Sequence, residues 1–322
     1  MSAIRSPGLW VALLAVAGLA AVPAVTGNAS QRETIFIVLQ SVALASSLNI
    51  LLGYTGYVSF GHIVFFGLGG YIGFYLIAEQ GWNLYAACAA GAVAASLLAL
   101  GLGASILRLR GAYFALATIG VNEAMKAVVI NIDLLGGSTG MELNFAVYRD
   151  YGGPGQMLWL VYWSTVTVAL AVVLTSFLVK RSKFGLGLMA IREDEDAAEV
   201  MGVVSARYKT MAYILSALFP GILGVLFFFK QGVIEPAGAF RLNLSVELLV
   251  MVMLGGQGTV FGPVLGGTLY QGLRGALLTS PLFKNIQLAV AGVLLLLIVL
   301  FIPAGAVGWL RSRFPFLRRV LE

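Results

Sequence analysis

VELLVMVMLGGQGTVFGPVLGGTLYQGLRGALL, residues 246–278, is the stretch that decides the topology of this chain. It stays apolar for about 33 residues. At 1.5 Å per residue a helix of that length would measure roughly 50 Å, against about 30 Å of membrane hydrocarbon. The run is interrupted at Gly255-Gly256-Gln257-Gly258 and again at Gly262-Pro263, residues that weaken or stop a helix. One ordinary crossing is too short for it, whereas two shorter crossings fit.

The rest of the chain is of the same kind. With 322 residues, 60% apolar side chains and only 11% charged ones, it cannot present the polar surface of a soluble globule. Its mean hydropathy is +0.94, and it reads as a membrane protein. Further apolar runs lie near 9–26, 34–52, 57–78, 84–107, 111–130, 157–179, 210–230 and 286–302. The single cysteine, Cys88, falls inside such a run, so no intrachain disulfide is possible and packing is its expected role.

Basic residues set the orientation, because cytoplasmic loops collect Lys and Arg. With the amino terminus and Arg5 inside, the inner segments hold Arg108, Arg110, Lys180, Arg181, Lys183, Arg192, Arg207 and Lys209, and the outer ones Arg32, Arg149, Lys230, Arg241 and Lys284. If 246–278 crosses twice, Arg311, Arg313, Arg318 and Arg319 of the tail also fall inside. Lys126 and Arg274 remain within apolar runs. The expectation is an all-α polytopic membrane protein of about ten transmembrane helices with both termini cytoplasmic. Residues 1–322 form one transmembrane domain, with a cytoplasmic loop at 180–209 and a basic tail at 303–322. Residues 1–30 also fit a cleavable signal peptide, which would leave nine crossings; an uncleaved first helix is the preferred reading.

The inner loop KRSKFGLGLMAIREDEDAAEVMGVVSARYK, 180–209, is the long charged segment on the basic side. Ile191 to Met201 contains no Gly or Pro and reads as one short helix stopped by Gly202. Its charged residues Glu193 to Asp196 fit a solvated connector, while Ile191, Ala197, Ala198, Val200 and Met201 supply an apolar face for a partner.

Here the sequence resembles a known family. Asp196-Ala197-Ala198 followed at Gly202 is similar to the EAA-and-glycine motif of permease subunits in bacterial ABC importers, with Asp in place of the usual Glu. Nearly the whole chain resembles the LivM-type permeases of branched-chain amino acid importers. The residues that carry this are GYTGYVSFGH (53–62) with Phe66-Gly67 and Gly69-Gly70-Tyr71, RGAYFALAT (110–118), GGSTG (136–140), Phe184-Gly185 through Gly202, and GGQGTVFGP (255–263).

The resemblance implies the type II, vitamin B12-importer-like ABC permease fold in a bacterial inner membrane. It also implies coupling to ATPase subunits through Ile191, Asp196, Ala197, Ala198 and Gly202. The implied partners are two ABC ATP-binding subunits, a second, LivH-type permease subunit and a periplasmic substrate-binding protein. The solute would be a branched-chain or related amino acid, with urea or amides as alternatives within the family.

No Gly-x-x-x-x-Gly-Lys-Ser/Thr phosphate loop occurs, so the chain is expected to bind no cofactor and to leave ATP to its partners. Leu254-Gly-Gly-Gln-Gly258 superficially resembles the signature of ABC ATPases, but it lies in an apolar run without the rest of that domain. A non-catalytic permease follows.

Non-helical backbone at membrane depth is tolerated where protein buries it or water reaches it, and transporters build substrate paths from such breaks. The two strongest breaks, 53–61 and 255–263, share Gly-x-x-Gly-x-Val. Gly53, Tyr54, Gly56, Ser59, Gly255 and Gly258 are therefore candidates for the translocation path, with close helix packing as the alternative. Polar residues in apolar runs add His62, Thr118, Asn122, Glu123 and Lys126. Glu123 and Lys126, three residues apart, can pair on one helix face. Tyr54, Ser59, Asn49 and Gln40 could satisfy the single histidine, and Glu247 and Arg274 could join the polar network or stand at interfaces. The outer loop 131–156 is long enough to hold structure, either to receive a binding protein or to cap the bundle. The second functional reading is an ion-coupled secondary transporter using Glu123 with Lys126, or His62.

Overall fold

The computed structural model describes residues 7–279, 289, 292–293 and 305–313. The expected last crossing at 286–302, Arg5, and Arg318 and Arg319 of the tail lie outside the described residues, apart from isolated positions within that crossing. In chain order the helices are α1 (Pro7–Thr26), α2 (Ala29–Thr55), α3 (Ile63–Ala78), α4 (Leu84–Ile106), α5 (Ala112–Ile130) and α6 (Pro154–Arg181). There follow α7 (Lys183–Glu193), α8 (Glu195–Val200), α9 (Ser205–Gln231), α10 (Pro236–Ala239), α11 (Leu242–Gly255), α12 (Gly262–Thr279) and α13 (Gly305–Arg313). Two short strands, β1 (Met141–Glu142) and β2 (Val233–Ile234), complete the set. Among the described residues, 7 helices are long and apolar enough to cross a membrane. The run 246–278 does divide: α11 stops at Gly255 and α12 starts at Gly262.

The chain folds as two compact units, one of residues up to Gly56, Ala169–Val203 and from Val246 onward, the other of Tyr57–Val168 and Val204–Ser245. In the first, α2 is the core. Asn28 caps its start by accepting from the Ser30 N–H, and every residue from Leu39 to Thr55 is buried. α1 lies on it through Leu9, Ala12, Val16 and Ala20, whose spacing of three and four residues makes one helical stripe. α12 lies on α2 where Gly267 meets Val42, and it meets α11 where Gly266 meets Gly255. Small residues let these backbones approach, the usual basis of helix association where lipid removes the hydrophobic drive.

In the second unit α9 packs on α3 and α4, again through glycine: Gly221 touches Gly69 and Gly91, and Gly224 touches Gly70. The expected crossing at 57–78 is shorter than the apolar run suggests, since α3 has 16 residues and begins at Ile63. The outer loop is ordered. β1 pairs antiparallel with β2, Met141 opposite Ile234, and the Tyr148 hydroxyl donates to the Phe229 carbonyl at 2.7 Å.

One helix expected from the sequence is two. Asp194 adopts extended backbone (φ −157°, ψ 114°), ends α7 and caps α8 by accepting from the Ala197 N–H at 3.0 Å. Asp is a favoured N-cap, and Glu195 and Asp196 in the first turn suit the positive end of the helix dipole. Gly202 follows α8 with φ +90°, a left-handed value that glycine adopts without strain.

Candidate functional site

α2 ends where its backbone turns at Gly56, whose φ of 76° is left-handed and whose N–H reaches back to the Leu52 carbonyl. The carbonyls of a helix's last turn have no partner within the helix. The one at Gly53 is taken by a side chain 139 positions on: Arg192 Nη1, from the last turn of α7, donates to it at 2.7 Å.

One turn earlier, Asn49 fixes the second interruption to the first. Its Nδ2 donates to the Thr259 carbonyl at 3.0 Å, and its Oδ1 accepts from the Gly258 N–H at 2.9 Å. Within the loop 256–261, Thr259 Oγ1 donates to the Gly256 carbonyl and accepts from the Gly262 N–H, which caps α12. Gly53 and Gly258 thus lie against each other, so closely that a Cβ on Gly53 would come 2.7 Å from the Gly258 nitrogen. The Tyr54 hydroxyl turns to α6, where it donates to the Ser176 carbonyl at 2.9 Å and lies 2.7 Å from Ser176 Oγ.

The arm from 182 to 202 is seated on α2 by Leu188 and Ile191, both buried on α7. Ser182 caps α7 by accepting from the Gly185 N–H at 3.0 Å. On α8, Ala198 is buried, whereas Asp196 and Ala197 are exposed; Val200 and the C-cap Met201 stand 86% and 84% exposed.

In the second unit, the irregular segment after Gly56 is held by side chains from three helices. The Phe60 N–H donates to Thr118 Oγ1 of α5 at 3.1 Å, and the Ile63 N–H to Ser245 Oγ of α11 at 3.3 Å. Lys209 of α9, itself buried, donates to the Tyr57 hydroxyl at 2.9 Å and to the Leu107 carbonyl at 2.7 Å, and its ammonium lies 4.6 Å from the Tyr57 ring centroid. Asn122 Nδ2 donates to the Phe240 carbonyl at 2.9 Å. Ser59 and His62 are fully buried, the His62 ring edge-on to Phe65.

The structure therefore brings Gly53, Gly258 and the arm together in one unit, and gathers Ser59, His62 and Thr118 around one segment in the other. Several expectations need correction. Asn49 and Tyr54 bond Gly258, Thr259 and Ser176, so they are committed away from the histidine. No ion pair joins Glu123 to Lys126 among the described residues; Glu123 is exposed and receives only a long 3.4 Å contact from Asn122. Glu247 and Arg274 instead pair with each other at 2.9 Å.

As basic residues of a cytoplasmic loop, Lys209 and Arg192 show nothing in the sequence of the carbonyls they hold. Their acceptors, the carbonyls of Leu107 and Gly53, lie 102 and 139 positions away in the chain.

Long apolar helices, two of them interrupted and laced by buried polar side chains, define a polytopic α-helical membrane protein with irregular backbone enclosed in protein. The family described as the permease component of the branched-chain amino acid transport system matches residues 33–299, and the chain belongs to it. The chain is similar to the high-affinity branched-chain amino acid transport system permease protein LivM of Escherichia coli K12, with 27% identity covering 84% of this chain and 68% of that protein. It is also similar to LivH of the same organism, with 25% identity covering 82% and 90%. The probable LivM permease of Methanocaldococcus jannaschii is 27% identical over 67% of this chain and 66% of its own length. No solved structure matches the chain.

Proposed function

We propose that this chain is the LivM-type permease half of an ATP-driven importer of branched-chain amino acids in a bacterial inner membrane. Residues 1–322 act as one transmembrane domain of ten helices with the vitamin B12-importer type of fold and both termini cytoplasmic. The permease performs no chemistry. ATP is bound and hydrolysed by two separate subunits, a LivH-type permease completes the pathway, and a periplasmic binding protein delivers the solute.

The observation that carries this reading is the α7–α8 arm. It is seated on α2 by buried Leu188 and Ile191, yet it holds Val200 and Met201 out to water, an arrangement suited to a protein partner. The coupling residues of the sequence divide accordingly. Ile191 and Ala198 face the permease, Asp196 and Ala197 lie on the outer surface of the arm, and Gly202 provides the turn back to α9.

Alternating access then requires that the ATPase bind the two permease conformations with different affinity, since equal binding would shift neither population. The candidate path residues are Gly53, Tyr54, Gly56, Gly255 and Gly258 in the first unit, and Ser59, His62, Thr118, Asn122, Glu123 and Lys126 in the second.

The test is co-purification of the membrane-extracted complex with its ATPase subunits, comparing wild type with Val200→Asp and Met201→Asp. Both side chains are exposed, so folding is spared; loss of the ATPase from both variants is the expected result. Wild type that captures no ATPase, or variants that capture it equally well, would return the ion-coupled reading to first place.

A further inference from the structure

We propose that Arg192 is the positioning residue that carries movement of the α7–α8 arm to the interrupted helices, by gripping the end of α2 at Gly53 beside the loop at Gly258. This rests on the importer reading above.

Three glycines surround the side chain. Its Nη1 donates to the Gly53 carbonyl at 2.7 Å. Its Cγ would lie 3.3 Å from a Cβ on Gly56, and its Nη1 2.7 Å from a Cβ on Gly258. A side chain at Gly258 would displace the guanidinium and one at Gly56 would crowd its stem, and both glycines also hold left-handed backbone, with φ of 76°. The notch is thus shaped for this one side chain.

The position of Arg192 in the arm gives the contact its use. It lies in the last turn of α7, two residues before Asp194, the cap of α8. Leu188 and Ile191 also seat α7 on α2, but apolar contacts are non-directional and allow slippage. A charge-assisted hydrogen bond has a preferred direction, and a cation at a helix C-terminus is favoured by the dipole. Because Asn49, one turn before Gly53 on α2, ties down Gly258 and Thr259, a pull on Gly53 reaches both interruptions.

The experiment uses the complete importer with its ATPase subunits and binding protein in proteoliposomes, and measures leucine taken up per ATP hydrolysed. Arg192→Met keeps the stem beside Gly56 and removes every donor; Arg192→Lys restores one donor and the charge. Arg192→Met is expected to retain the ATPase subunits at wild-type stoichiometry and lose tenfold or more in uptake per ATP, with Arg192→Lys recovering a substantial part.

Wild-type uptake per ATP in Arg192→Met would overturn the proposal, as would loss of the ATPase, which would make Arg192 a docking contact. If wild type itself binds no ATPase, it is the importer reading that fails.

A second measurement on wild type does not depend on the variants folding. Amide exchange in 53–58 and 256–261 is expected to change when a non-hydrolysable nucleotide is added to the complex. A change confined to α8 would overturn the proposal.

Discussion

Arg274 of α12 and Glu247 of α11 meet at 2.9 Å, a salt bridge between two helices joined by a six-residue loop, 256–261. The Glu247 side chain is 11% exposed and that of Arg274 26%. Removing one partner leaves a charge with little water around it. Either Glu247→Gln or Arg274→Met should destabilise the detergent-solubilised protein by about 2 kcal/mol. The double variant should recover part of that loss, and a thermal unfolding cycle of the four proteins measures the coupling.

Asn49→Ala removes two hydrogen bonds to the loop between α11 and α12. The Gly258 N–H and Thr259 carbonyl then lose their partner inside protein, at about 1–3 kcal/mol for each group left unsatisfied. Faster exchange of the Gly258 amide and a lower unfolding temperature are expected. Asn49→Asp should be no better than Ala, because a carboxylate oxygen would then face the Thr259 carbonyl where the amide nitrogen now donates.

Lys209 caps α4 at the Leu107 carbonyl and holds Tyr57. Lys209→Met keeps the stem but leaves that carbonyl without its donor, so a loss of about 1–3 kcal/mol is expected. Lys209→Glu should abolish folded expression, since it would bury a carboxylate against a carbonyl oxygen. Yield of monodisperse protein after size-exclusion chromatography distinguishes the two.

Gly61 and Gly120 give opposite expectations. A Cβ on Gly61 would run into the Thr118 backbone, whereas one on Gly120, within α5, meets nothing within 4 Å. Gly61→Ala should therefore reduce assembly, and Gly120→Ala should stabilise by about 0.5–1 kcal/mol through helix propensity. Thermal unfolding of the two variants side by side checks both signs.

What the sequence revealed depended on how local the physics was. The division of 246–278 was legible because length and the glycines both argue against a single crossing. The break expected at 53–61 was legible from its glycines, but α2 runs on through Gly53 and Tyr54 to Thr55, so the irregular backbone begins only at Gly56. The split at Asp194 is also local, an acid at a capping position with two more acids behind it, and it breaks a stretch that has neither Gly nor Pro.

The roles of Arg192 and Lys209 were not legible. Each donates to a carbonyl more than a hundred positions away, and nothing in the side chain's own neighbourhood names that acceptor. The i, i+3 spacing of Glu123 and Lys126 made a pair possible without making one form. Glu247 and Arg274, 27 positions apart, found each other through the turn between their helices.

The shortness of α3 bears on how the protein sits in lipids of different thickness. Its 16 residues reach about 24 Å, less than the roughly 30 Å of a typical hydrocarbon core. Ile63 to Phe66, its first turn, are buried, and Gly69, Gly70 and Gly73 press it against α9, so neighbouring helices rather than acyl chains meet the shortfall. The long helices α2, α6 and α9, with 27, 28 and 27 residues, extend about 40 Å and must tilt or protrude to match the same membrane. A change in acyl-chain length will therefore be felt through the tilt of those three helices, while α3 is carried along inside the protein.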